Sequence, residues 1–191
     1  MAVSTEPVTS GNLVASNKLF FALFLVTLIM GFAKFERFEM VDLSTMLFAL
    51  FMVLMRIKIF NYDKGFFKAT GLVTPHFQTA FFITIITWLV WVLNGYFIFD
   101  NEKRVSYTLT AVAVALSLLR MWMFTDGNHP HKAKQYRMAT GSIYLLLLIL
   151  LRVIKGSMPF YYEWALLMLM ITLAVVDYFI SNKYSGVVMR K

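Results

Sequence analysis

Three charged side chains interrupt otherwise apolar stretches of this 191-residue chain. Arg56 lies in Met55-Arg56-Ile57-Lys58-Ile59-Phe60, Arg120 in Leu119-Arg120-Met121-Trp122-Met123-Phe124, and Asp177 in Val176-Asp177-Tyr178-Phe179-Ile180. An ionisable group flanked by apolar residues in a membrane span normally faces protein, water or an opposite charge. The chemistry expected of this set is intramembrane charge pairing, with Asp177 reaching Arg120 or Arg56 across a helical bundle. The alternative makes both arginines snorkelling anchors and leaves Asp177 among headgroups. The two arginine segments also end alike, one followed by Asp63 and Gly65, the other by Asp126 and Gly127. Ordinary helix-end chemistry explains so short a match better than a repeated hairpin does.

A second constellation is neutral. The run 77–99 contains no charge but holds Gln78, Thr79, Thr84, Thr87 and Asn94. Thr84, Thr87, Trp91 and Asn94 recur at spacings of three and four, which places them on one helix face. Such a stripe bonds a neighbouring helix or a second subunit. A water-lined path along helix 3 is the competing reading.

The histidines His76, His129 and His131 all fall near one set of helix ends. With Asp126 they resemble a loose metal-ligand group. Turns rich in Asp, Gly, Asn and Pro produce the same pattern, so no metal and no other cofactor is expected, and a site, if one formed, would have to use these three. Cysteine is absent, which removes disulfides, thiolate metal sites and nucleophilic thiols. No phosphate-cradling glycine loop, serine-hydrolase elbow or HExxH occurs, and no two acids lie deep in separate apolar runs, so no catalytic residue is expected.

The elements that must position these groups follow from composition. Hydrophobic residues make up 60% of the chain and charged residues 15%, with a mean hydropathy of +0.70; soluble domains carry about 25% charged residues. A hydrocarbon core about 30 Å thick takes about 20 helical residues to cross. Six runs approach that length: 19–33, 43–59, 77–99, 105–124, 139–154 and 158–180. The first and fifth are short and reach full length only with help from flanking residues. The segment before the first run has no basic start, so that run is expected to be a retained helix rather than a cleaved signal. The expected fold is all-α, a single integral membrane domain forming a six-helix transmembrane bundle. Isolated Gly31, Gly95 and Gly141 do not indicate GxxxG packing, while Ala111 to Ala115 offers small residues for close approach in helix 4.

Alternating six spans places both termini and the 60–76 and 125–138 connections on one side. Twelve of the eighteen Lys and Arg residues then fall on that side, which the positive-inside rule makes cytosolic. With the acids included, the whole net charge of +8 lies on this face and the other balances to zero. The chain is therefore expected in a bacterial inner membrane or other plasma membrane, N-in and C-in. Aromatic residues near both sets of helix ends (Tyr96, Phe99, Tyr107 and Phe160 to Tyr162; Phe60, Trp122 and Tyr178) fit an interfacial belt. Arg152 or Lys155 is expected to close the last hairpin against Glu163.

Two functional classes follow. The first is a non-enzymatic membrane subunit that oligomerises or docks a partner through its basic cytosolic face, which would also attract anionic lipid headgroups; nucleic acid is not expected. The second is a small transporter, channel or substrate-capturing component with a polar path along helix 3.

Overall fold

The computed structural model describes residues 10–33, 43–69, 77–99, 103–123, 131–155 and 159–188, with side chains described for 15–33, 43–61, 79–99, 103–123, 135–155 and 159–180. Six helices occupy these stretches: α1 (Ser10–Ala33), α2 (Leu43–Ala69), α3 (Phe77–Phe97), α4 (Lys103–Met123), α5 (His131–Ile154) and α6 (Phe160–Val188). The shortest have 21 residues, about 31 Å at 1.5 Å per residue, which matches the apolar thickness of a bilayer. All six are long and apolar enough to cross a membrane. The chain is a multi-pass membrane protein whose described residues are helical apart from the turns at 98–99 and 155 and Pro159.

The two runs that looked short are extended at their polar ends. α1 starts at Ser10 and α5 at His131, so each has 24 residues. The added turns contain Asn17 and Lys18 in α1, and Lys132, Lys134, Gln135 and Arg137 in α5. Hydrophobicity alone cannot see such turns, because a helix continues through polar residues that lie at the membrane boundary.

In their principal contacts the helices form a closed ring in the order α1, α3, α4, α5, α6, α2 and back to α1. The ring is flattened. α2 lies between α1 and α6 and reaches across to the opposite helices, with Phe48 edge-on to Tyr107 of α4 at 4.6 Å and Phe51 tilted against Tyr144 of α5 at 5.8 Å. Phe24, Met52, Met55, Leu148, Leu167 and Met170 fill the rest of the core. The outward faces are apolar as well, including Ile29, Leu146, Val153 and Phe179. A bundle apolar both inside and outside is one dissolved in lipid.

α1 and α3 approach most closely where two glycines meet. A Cβ on Gly31 would lie 2.9 Å from the Tyr96 carbonyl oxygen and 3.0 Å from that of Gly95; one on Gly95 would lie 2.6 Å from Thr27 Oγ1 and 3.1 Å from the Phe24 carbonyl oxygen. Each glycine is isolated in its own helix. The close packing that GxxxG builds from one helix is built here by single glycines from two.

Several aromatic residues occupy belt positions, with Phe160, Tyr161, Tyr162, Trp122 and Tyr178 exposed. Tyr107 and Phe99 do not: both turn inward and are buried. Tyr107 does so because a buried carboxylate accepts its hydroxyl.

Candidate functional site

The polar residues of the spans form three groups at different depths. The middle group is the α3 stripe: Thr84, Thr87, Trp91 and Asn94 are all buried on one face, as their spacing requires. Asn94 Nδ2 donates to Thr110 Oγ1 at 2.6 Å, and Asn94 Oδ1 accepts from Ser106 Oγ at 2.6 Å. Thr110 Oγ1 donates to the Ser106 carbonyl at 2.9 Å, while Met52 Sδ lies 3.6 Å from Asn94 Nδ2. The amide thus bridges α3 to α4 with its oxygen and nitrogen both engaged. Thr84 and Thr87 donate back to the carbonyls of Ala80 and Ile83, each at 2.7 Å. These bonds satisfy the hydroxyls within their own helix. Trp91 packs edge-on against Phe24, and its indole Nε1 is buried with no hydrogen-bond partner among the described residues.

The partner stripe on α4 consists of Ser106, Thr110, Ala113, Ser117 and Arg120, all buried. Its spacings of four, three, four and three carry the same helical signal as the α3 stripe. The small residues Ala113 and Val114 lie on this buried face, within the run expected to allow close approach.

The second group lies at the end of the bundle where α1 starts and α6 finishes, and it includes Arg56, Arg120 and Asp177. Arg56 is fully buried, its Nη2 3.5 Å from Asn17 Oδ1 of α1 and its guanidinium 5.7 Å from the centre of the Phe21 ring. Asn17 Nδ2 in turn donates to the Phe60 carbonyl of α2 at 3.1 Å. Arg120 Nη1 donates to Thr84 Oγ1 at 2.7 Å. Asp177 does not pair with either arginine. Its Oδ2 is ion-paired with Lys58 of α2 and accepts from the Tyr144 hydroxyl of α5 at 3.4 Å. Lys58 also sits 5.3 Å from the centre of the Tyr144 ring. The physical reason for this choice is the ring order: α6 packs chiefly between α2 and α5 and meets α4 through Glu163 at the opposite end. On α2, Lys58 stands about 200° around the axis from Arg56, so one residue turns to α6 and the other to α1.

A common arrangement runs through the three hairpins. A charged residue of the second helix meets a polar side chain from the first: Arg56 with Asn17, Arg120 with Thr84, Asp177 with Tyr144. The likeness of the first two segments in sequence thus extends to their wiring.

The third group lies at the opposite end. Glu163, in the first turn of α6, is buried and accepts from Lys155 Nζ at 2.9 Å and from the Tyr107 hydroxyl. Arg104 donates through Nε to the Lys155 carbonyl at 3.0 Å, Arg152 Nε to Thr108 Oγ1 at 3.2 Å, and Lys103 Nζ to Ser44 Oγ at 2.7 Å. The hairpin-closing pair is therefore Lys155 with Glu163, stapled to α4 as well.

Both carboxylates belong to one stripe of α6, Glu163, Leu167, Met170, Ala174 and Asp177, all buried. Their separation of fourteen residues is about 21 Å along the helix. Each is held by a lysine and a tyrosine. Lys58, Tyr144 and Tyr107 were not read as site residues from sequence; the signal available was the buried α6 stripe with an acid at each end.

His76 and His129 lie outside the described residues, as does the side chain of His131, and no metal-holding group of His and acids occurs among the described ones. The chain matches no family model, no curated protein and no solved structure.

Proposed function

We propose that this protein is a non-enzymatic subunit of a membrane assembly, oriented with both termini in the cytosol of a bacterial inner or other plasma membrane, and that it oligomerises or docks an acidic partner through its basic face. One observation supports this reading above others: the polarity of the spans is spent between helices. Asn94 joins α3 to α4, Arg120 joins α4 to α3, Asn17 joins α1 to α2, and Glu163 joins α6 to α4 and α5. A polar path would need such side chains along a water route, whereas the α3 stripe faces the α4 stripe. A rigid apolar bundle with its net charge at one end is suited to holding a partner in place, and the same charge attracts anionic headgroups.

The second reading, a small transporter or channel component, draws support from Asp177, whose Oδ1 is buried with no hydrogen-bond partner among the described residues. An intramembrane carboxylate is a functional candidate by default.

Purification from native membranes in mild detergent, with mass measurement and identification of bound chains, separates the two. The subunit reading expects a particle heavier than one 22.1 kDa chain with its detergent, retaining a second copy or a defined partner. A monomer with nothing attached contradicts it and leaves the transporter reading in front.

A further inference from the structure

Asp177 departs from the rule that buried polar groups are bonded. Glu163, the other buried carboxylate of α6, has both oxygens engaged, one by Lys155 and one by Tyr107. At Asp177 both donors converge on a single oxygen. Lys58 and Tyr144 meet Oδ2, and Oδ1 has no hydrogen-bond partner among the described residues although the residue is only 2% exposed. A buried carboxylate oxygen without a donor is costly. Oδ1 is also the oxygen at which a proton can bind without displacing Lys58 or Tyr144.

We infer that Asp177 Oδ1 is a proton-binding position, with Lys58 as its resident counter-charge. The Lys58 side chain is 20% exposed while that of Asp177 is 3% exposed, so the ammonium lies on the outer side of the carboxylate. The groups facing it come from both helices that pack on α6. α2 contributes Lys58, with Arg56 turned away to Asn17; α5 contributes Tyr144, and Arg137 bears electrostatically on Lys58. A hydronium ion gives its proton to Oδ1 and leaves as water. An O–H bond forms on a carboxylate electron pair, no protein bond breaks, and Lys58 keeps its charge. The site passes from neutral to a net single positive charge beside Arg137. The ionic link of α6 to α2 is then lost, and the ammonium is freed to turn outward. Protonation at one atom thereby acts on a helix seam. The inference holds whether or not the bundle docks a partner.

Infrared spectroscopy on the full chain in lipid vesicles, cycled between neutral and mildly acidic buffer, tests this. The expected result is a carbonyl band of a protonated carboxylic acid that grows on acidification, reverses at neutral pH, is lost in Asp177→Asn and is kept in Glu163→Gln, while the helical amide bands stay constant. A band absent until the amide bands report unfolding overturns the inference, as does one that persists in Asp177→Asn. The first outcome would mean that Oδ1 takes no proton in the folded bundle, and the second that the band belongs to another carboxylic acid. Should Asp177→Asn fail to fold, Tyr144→Phe serves instead. Removing its hydroxyl from Oδ2 should move the band in frequency, and an unmoved band counts against Asp177 as its source.

Discussion

Asn94 concentrates much of the specific bonding between α3 and α4 in one side chain. Its amide engages Thr110 and Ser106 at 2.6 Å each. Interhelical hydrogen bonds in membranes average about 0.6 kcal/mol, because the separated helices also find partners. Asn94→Ala should therefore cost about 1–2 kcal/mol, the upper part coming from the Ser106 hydroxyl it leaves buried. Thr87→Val removes only a bond within α3 and should cost less than about 0.5 kcal/mol. Unfolding in mixed micelles measures both, and equal losses would place the stabilisation elsewhere. The stripe holding Asn94 was legible from sequence, since spacings of three and four fix which residues share a face. Asp177 was legible as a buried acid, and its partner was not. Which base it meets depends on which helices are neighbours, and periodicity within one helix carries no information about that. Lys58 therefore went unassigned although it stands two residues from Arg56.

Helices meet according to how near their axes can come, and α1 and α3 come near because Gly31 and Gly95 have no side chains. Gly31→Ala would push a Cβ against two backbone carbonyls, at 2.9 and 3.0 Å, neither of which can move alone. A cost of about 1–3 kcal/mol is expected, as for other overpacked contacts. Gly141→Ala meets the flexible tip of Leu118 at 2.6 Å and should cost less. A thermal-stability series in detergent reads this order, and a reversal would show that α1 and α3 can separate without loss. All six elements were visible in the hydrophobic pattern, as was the need of α1 and α5 for flanking residues, though not how far their polar extensions run. The glycine crossing was also hidden, because it is written half in one helix and half in another. The hairpin likeness of Arg56 and Arg120 was visible but undecided; the contacts to Asn17 and Thr84 give it a three-dimensional counterpart.

At the scale of the molecule, an apolar bundle has few ways to choose its orientation, and charge at its ends is the strongest. The net charge of +8 lies entirely at the end of the bundle that carries both termini once the spans alternate. The proposed docking role rests on that end facing the cytosol. The chain contains no cysteine, so single cysteines can report on each side without background. Thr125→Cys marks the connection between α4 and α5, and Asn101→Cys marks the one between α3 and α4. Intact cells treated with a membrane-impermeant thiol reagent should label Asn101→Cys, and should label Thr125→Cys only after the membrane is opened. Labelling of Thr125→Cys in intact cells, with Asn101→Cys protected, would put the basic face outside and contradict the account.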